Sequence, residues 1–316
     1  MQKSFEIDKW RNNLKKHRLD QMLAGILSGG SSTIILHPLD LVKTQFQVQT
    51  TAKSEIISKP YLYTFRYLKD LYSRFGFRKG LYQGLSANLA GSTASWGLYF
   101  FIYDWTKTRF PKNSLGNLSS SNYFIASSSS AALTVLFTNP LWMIKTRLCM
   151  QVPGNPSNYS GLIDAFLRIS REEGIRGLYR GLVPGLFGVS HGAIQFMVYE
   201  QMKNFHRQYS NSKHIPSSLE YLIMSSTSKV IAMIATYPYQ VVRSRLQVRI
   251  VPESNLNSNN SKSFSYKGAI DVIKRTASQE GLWAFYRGIV PSTIRVLPGT
   301  CITFLVYEKV TEAFRK

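Results

Sequence analysis

Lys229 and Arg295 are the first residues whose type and place call for a chemical reason. Each is the one cation interrupting a long window, 219–242 and 288–307. A charge inside such a window is costly and is retained where it meets an anion, so both are candidate anion-binding residues. A second set of chemically capable residues recurs as one phrase in three versions: HPLDLVKTQ (37–45), NPLWMIKTR (139–147) and YPYQVVRSR (237–245). Each version places a proline two residues before Asp40, Trp142 or Gln240, and a cation three residues after it, Lys43, Lys145 or Arg243. These types support ion pairing, amide hydrogen bonding and a cation held over an indole ring. That is the chemistry of holding and releasing, not of making bonds.

Little else argues for catalysis. The five histidines are scattered, no Ser/His/Asp or paired-carboxylate motif stands out, and no glycine-rich loop follows a strand pattern. Cys149 and Cys301 are too few for a disulfide framework and lack metal-ligand spacing. No enzymatic activity, cofactor or metal site is expected. Lys and Arg outnumber Asp and Glu by 39 to 17 in the 316 residues, a net +22 that first raises nucleic acid or an anionic membrane as partner. The N-terminus, MQKSFEIDKWRNNLKKHRLD, is basic without the apolar core of a secretory signal. Its Glu6, Asp8 and Asp20 also fit poorly with an acid-free cleavable presequence, so targeting information is expected within the chain.

The elements that must position these residues read as membrane helices, although the mean hydropathy is slightly negative. Windows long enough to cross a bilayer recur at 21–39, 85–103, 114–144, 181–199, 219–242 and 288–307. The stretch from Ser114 to Ile144 holds no charged residue. Ser, Gly and Thr are frequent in the windows. Small residues let helices approach closely, as at Gly25-x-x-x-Gly29, and polar ones suit helices that line a wet cavity.

Internal repetition organises the six windows into pairs. After each first phrase comes a second, GLYQG (80–84), GLYRG (177–181) or AFYRG (284–288), preceded in copies two and three by Glu-Gly at 173–174 and 280–281. A third phrase closes each copy: YDWTK (103–107), YEQMK (199–203) and YEKVT (307–311). The segments NYSGLIDAFLRISREEG (158–174) and SYKGAIDVIKRTASQEG (265–281) have apolar residues at helical spacing, as a short helix lying on a membrane surface does. The chain therefore divides into a tail, 1–19, and three repeats, 20–112, 113–213 and 214–316. Loops 43–82, 145–180 and 243–287 together hold +14 of the net charge, which places them on the inner side. Nucleic-acid binding would leave the six windows unexplained and is set aside.

These phrases, in this order three times over roughly 100-residue units, resemble the mitochondrial carrier family across residues 20 to 312. The resemblance implies an all-α membrane protein: six transmembrane helices in a pseudo-threefold bundle, with short amphipathic helices on the matrix side. It further implies a monomer in the inner membrane, both termini toward the intermembrane space, with bilayer lipid such as cardiolipin around it. Transport would be by alternating access. SWGLYFFIY (95–103), TNPLWMIKTRL (138–148), GLVPGLFGVSHGAIQFMVYE (181–200), ATYPYQVVRSRLQ (235–247) and CITFLVYE (301–308) resemble the folate/FAD transporters within it. NAD and pyrimidine-nucleotide carriers share the tryptophan of the second phrase and stay open as alternatives. A non-transporting scaffold or channel on the same fold is a remoter one.

In that family the first phrases meet as a matrix gate, the acid of one repeat pairing with the cation of the next. Here Asp40 faces Lys145 as an ion pair, Trp142 faces Arg243 as a cation–π contact, and Gln240 faces Lys43 through a neutral amide. Gln47 and Gln247, one turn on, add amide bonds beneath. The outer gate takes Asp104 with Lys107 and Glu200 with Lys203; Glu308 has Thr311 where a cation is expected. Substrate contacts are assigned to Arg295, 12 residues before Tyr307, and to the same offset in the other copies, Gly91 and Phe187, with Gly188 beside it. Ser95, Trp96, Tyr99, His191, Gln195 and Lys229 complete the list. Aromatic and amide walls with two cations suit an anionic heterocycle: folate or FAD as transported substrate.

Overall fold

The computed structural model describes residues 2–49, 60–111, 119–152, 154–155, 158–209, 217–248 and 266–315, with side chains from Gly25 onward. Segments 50–59 and 249–265, whose cations enter the loop charge count, lie outside the described residues. All described elements are helical. The α-helices are α1 (Gln2–Val48), α2 (Pro60–Gly76), α3 (Leu85–Lys107), α4 (Ser120–Cys149), α5 (Leu162–Glu172), α6 (Gly174–Leu178), α7 (Leu182–Leu186), α8 (Gly188–Tyr209), α9 (Ser218–Gln247), α10 (Ala269–Arg275) and α11 (Ile289–Arg315), with short π-helical turns at Phe77–Leu81 and Thr276–Glu280 and a 3-10 turn at Leu282–Tyr286.

Six long helices close into a ring in the order α1, α3, α4, α8, α9, α11, and α11 packs back along α1. The serine and threonine content is what lowers the hydropathy of this ring, and the hydroxyls are satisfied locally. Thr33, Thr134, Thr138, Thr236, Thr293 and Thr300 each donate to the carbonyl four residues back, at 2.6 to 2.9 Å. Such back-bonding lets a polar residue sit in a helix without an unmet donor. Pro38, Pro140 and Pro238 lie inside α1, α4 and α9, where each removes a backbone donor and bends its helix. By length and composition, two segments, Leu182–Gln208 and Leu282–Ala313, are apolar enough to cross a membrane. The other four expected spans fall short of that measure because their Ser, Thr and Gly outweigh the missing charge.

At the end where the three prolines bend their helices, the second phrases turn the chain. Gly84, Gly181 and Gly288 have φ of +77°, +78° and +84° and open α3, α7 and α11. Their lack of a side chain serves a second need. A Cβ would come within 3.0 Å of Cys149 Sγ at Gly84, 3.1 Å of Gln247 Cγ at Gly181 and 2.9 Å of the Lys43 carbonyl oxygen at Gly288. Each glycine thus seats one repeat on the first-phrase helix of the next. Apolar clusters gather at the same end: Leu41, Val42, Phe46, Tyr63 and Leu71; Ala87, Met143, Ile144, Ala165 and Ile169; Val242, Val272 and Phe285.

The surface helices are amphipathic as their spacing predicts. α5 buries Ala165 and Ile169 and exposes Ile163, Phe166 and Leu167. Asp164 and Asp271 fasten the starts of α5 and α10 by accepting from the backbone N–H of Ser160 and Lys267, at 2.8 and 3.0 Å. That hydrogen bond, then the Arg275 guanidinium, holds the Asp271 carboxyl below the usual carboxylate range.

Candidate functional site

The first phrases of α1, α4 and α9 meet in one polar layer. Lys43 Nζ donates to Gln240 Oε1 at 3.3 Å, as the sequence predicts. Asp40 does not take the expected partner. Arg295 Nη1 lies 2.7 Å from Oδ1 and 2.8 Å from Oδ2 of Asp40, with Asn88 Nδ2 at 3.4 Å, while Lys145 donates to Thr44 Oγ1 at 3.3 Å. The reason is geometric: α11 lies along α1, so Arg295 approaches Asp40 from the adjacent helix and its Nη1 reaches both oxygens. Trp142 also departs from expectation. Its Nε1–H donates to Ser95 Oγ at 3.1 Å, and a Cβ at Gly91 would lie only 3.5 Å from the indole. The ring is turned onto α3, and among the described residues no cation–π contact joins it to Arg243. Arg243 packs against α7 instead, its Nε 3.3 Å from where a Gly185 Cβ would stand. Its buried Nε and Nη2 have no hydrogen-bond partner.

Below this layer the expected amide bonds are present. Ser244 donates to Gln47 Oε1 at 2.8 Å and Thr146 to Gln247 Oε1 at 2.7 Å. The charge balance of the layer is uneven. Asp40 feels Arg295, Lys145 and Lys43, and Lys43 in turn feels Arg295, Lys145 and Arg243. Four cations share one carboxylate. Lys229, farther along α9, lies within electrostatic reach of Arg295.

The remaining substrate candidates divide between the layer and the walls. Gly91 and Ser95 are occupied by Trp142, and Gly188 lies against Tyr239, whose hydroxyl would be 3.6 Å from a Cβ there. His191 Nδ1 meets Thr236 Oγ1 at 2.9 Å; since that hydroxyl donates to Ala232 O, the imidazole donates to it. This histidine joins α8 to α9. Gln195 lines a cavity of about 350 Å³ between the same helices, with Gly192, Phe196, Tyr199, Ser225 and Ser228. Tyr99 stacks on Tyr103 with centroids 5.8 Å apart, and Lys107 lies 4.8 Å over the Tyr103 ring. Trp96 stacks on Phe100 rather than on the charged layer, and Phe187 is exposed at the break between α7 and α8.

At the opposite end, among the described residues, no ion pair joins one third phrase to another. Ser130 of repeat two does donate to Thr106 Oγ1 in the third phrase of repeat one at 3.5 Å, and His206 meets Glu220 of repeat three at 3.3 Å. Asp104 pairs with Lys107 and Glu200 with Lys203, each within its own helix at 3.8 Å. Glu308 is in neither pair, and Lys309 reaches Glu312 at 3.2 Å.

Sequence reasoning missed a third set of residues, two places beyond the gate cations. Gln45 donates to the Cys149 carbonyl at 3.0 Å, Arg147 to that of Gln247 at 3.0 Å and Arg245 to that of Gln47 at 3.1 Å. This ring of side-chain-to-backbone bonds ties each repeat to the next. In repeats two and three the arginines are also anchored by the Glu of Glu-Gly. Arg147 grips Glu173 at 2.5 and 2.9 Å, with Arg180 at 3.6 Å; Arg245 grips Glu280 at 2.5 and 2.9 Å, with Arg287 bonded to the same carboxylate. Repeat one has Gln45, Phe75 and Gln83 in the matching places. There a cavity of about 260 Å³ lies beneath α2, beside Tyr67, whose phenol burial pushes up to about 12. The signal was available: Arg and Glu occur together in two copies and are lost together in the third.

Comparison with known proteins accounts for the threefold plan. The family model for mitochondrial carrier protein matches residues 15–114, 116–210 and 215–316. A chloroplastic folate transporter of Arabidopsis thaliana is 38% identical over 302 residues, 93% of this chain and 94% of the relative. A mitochondrial FAD carrier of Saccharomyces cerevisiae is 31% identical, over 92% and 95%. A mitochondrial nicotinamide adenine dinucleotide transporter of Arabidopsis thaliana is 36% identical, over 93% and 79%. With three matched repeats and relatives of this similarity along nearly its whole length, the chain belongs to the mitochondrial carrier family.

Proposed function

We propose that this chain moves folate, FAD or both across the mitochondrial inner membrane by alternating access. The observation that carries the reading is the charge of the polar layer. Arg295, Lys145 and Lys43 act on Asp40, Arg243 acts on Lys43, and Asp40 is the one carboxylate placed among them in the described residues, so a dianionic ligand tail is what the site lacks. Tyr99 and Tyr103 add aromatic surface suited to a pterin or isoalloxazine ring. The names of the folate and FAD relatives agree with it.

Six spans follow from the ring of long helices, with Ile34, Ile35, Phe100, Phe101, Phe137, Phe196 and Phe304 exposed as an apolar exterior toward lipid, cardiolipin included. The loop charges put the phrase-bearing end in the matrix and both termini in the intermembrane space. In this reading the structure is outward-facing: its matrix layer holds an ion pair and amide bonds across repeats, while no ion pair joins the outer phrases among the described residues. The working unit is a monomer, because the ring is complete in one chain. NAD is the second reading, on the strength of its transporter relative. Liposomes holding purified protein should take up labelled folate or FAD with saturation and with stimulation by internal substrate. NAD uptake alone would select the second reading, linear flux would select a channel, and no flux of any of these or of pyrimidine nucleotides would select a scaffold.

A further inference from the structure

We propose that Asp40 is a built-in competitor for substrate, and that its displacement from Arg295 is the event that unlocks the matrix layer. The inference rests on the transport reading above and deepens it by naming the coupling step. Asp40 presents to Arg295 what a transported anion would present, two oxygens in one plane, at 2.7 and 2.8 Å. The pair is lopsided. The Asp40 side chain is 9% exposed, while that of Arg295 is 37% exposed, so an anion from solvent reaches the guanidinium on its open side. Arg295 holds Asp40 through Nη1 alone, so an anion that takes the guanidinium's open N–H groups draws it away, and incoming anion and Asp40 compete.

The opposite end of the molecule shows where the displaced carboxylate goes. There, with no ion pair between third phrases among the described residues, Asp104 and Glu200 each fold back on the cation three residues ahead, Lys107 and Lys203, at 3.8 Å. Asp40 has the same spacing to Lys43 on the same kind of helix. Lys43, however, is engaged with Gln240 across the seam between repeats one and three. When an anion takes Arg295, Asp40 turns to Lys43 and draws its ammonium away from Gln240. Seating one ligand thereby removes two ties of α1, to α11 and to α9. The ties that remain to α1 at this seam and the next, Ser244 and Arg245 to Gln47, Arg245 and Arg287 to the adjoining Gln49, Ser32 to Gly299 and Gln45 to Cys149, end on neutral acceptors. Lys145 is the rival destination: it donates to Thr44 on the next turn of α1, and a pair with it would hold α1 to α4 and keep the layer shut. In the empty carrier the Asp40–Arg295 pair, joining repeats one and three, keeps closed a layer in which no first-phrase acid pairs with a first-phrase cation among the described residues, until it is loaded.

The test separates affinity from turnover. Wild type, Asp40→Asn and the double variant Asp40→Asn/Gln240→Met are purified and checked for folding by thermal unfolding. Binding of folate and FAD is measured by calorimetry, and exchange of the same compounds in liposomes. A competitor that holds Arg295 nine-tenths of the time weakens apparent affinity about tenfold. Asp40→Asn should therefore bind the transported compound about tenfold more tightly, yet exchange it at least about tenfold more slowly at saturation, because nothing pulls Lys43 from Gln240. Gln240→Met removes the partner Lys43 must leave, and should restore most of the turnover in the double variant. Unchanged or weaker binding by folded Asp40→Asn overturns the competition, as a merely structural role would weaken affinity and rate together. Tighter binding without rescue by Gln240→Met overturns the route through Lys43. Wild type that neither binds nor exchanges either compound overturns the folate/FAD reading itself and the relay with it.

Discussion

Trp142 donates its indole N–H to Ser95 Oγ at 3.1 Å, which turns the second-phrase residue away from Arg243 and onto its own repeat. The position that would carry a gate acid is spent on packing α4 against α3 over Gly91. If the bond is formed, Trp142→Phe and Ser95→Ala should each cost about 1 kcal/mol of stability. The double variant should lose no more than the larger single loss, since both delete one interaction. Thermal unfolding of the four proteins decides it, and additive losses would show that the two residues act separately.

That reversal shows where the sequence was legible. Helix positions, the threefold plan and the polar layer followed from prolines, small residues and three repeated phrases. Lys43 with Gln240, and the amides of Gln47 and Gln247, were found where the phrases put them. The partners of Asp40 and Trp142 were not. A phrase fixes a residue's height along its helix, but which neighbour it touches depends on how α11 lies on α1 and on the space left at Gly91. The arginine–glutamate anchors were readable in principle, because the copy that lost the Glu of Glu-Gly also lost the arginine two places after the gate lysine.

Those anchors should make the three repeats unequal in strength. Glu280 neutralises Arg245, which is fully buried, and Arg287 beside it. Glu280→Gln leaves two guanidinium groups without their counter-charge and should cost on the order of 3–5 kcal/mol, lowering the unfolding temperature sharply. Gln45→Ala removes a neutral bond and should cost about 1 kcal/mol. Similar losses in the two variants would contradict the view that repeat one is held by weaker means.

Backbone geometry gives a prediction independent of charge. Gly288 has φ +84°, and an added Cβ would meet the Lys43 carbonyl at 2.9 Å and the Tyr237 hydroxyl at 3.0 Å. Gly288→Ala should destabilise by more than the roughly 1 kcal/mol that the left-handed conformation alone costs, because the seam must open as well. Gly97 lies inside α3 with nothing within 4 Å of its added Cβ, so Gly97→Ala should be neutral or gain up to about 1 kcal/mol. Equal effects in thermal unfolding would remove the seam from the account.

Arg295 should be needed for its shape as well as its charge. Arg295→Ala deprives the ligand of a cation whose side chain is 37% exposed and should abolish saturable uptake in liposomes while the protein stays folded. Arg295→Lys keeps the charge but cannot offer an anion the planar pair of N–H groups that a guanidinium can, so it should recover little. Uptake by Arg295→Ala at the wild-type rate would take this residue out of the site.

Trp142→Asp asks whether this position gates at all. The variant offers a carboxylate to Arg243, whose Nε and Nη2 are buried without partners, and would give the layer an ion pair between repeats two and three. Arg243 must first leave its place against Gly185, and taking a new pair out of water offsets part of the gain. A net 1.4 kcal/mol or so would still shift the balance toward the closed matrix layer about tenfold. Exchange in liposomes should then slow, with the outward-facing form enriched when introduced cysteines are labelled from each side. Trp142→Ala should act oppositely, because it deletes both the Ser95 bond and the bulk over Gly91, and the layer should open more readily. If both variants exchange and label as wild type does, Trp142 serves only to pack α4 on α3, and closure at this seam rests on Gln247 with Thr146 and Arg147 alone.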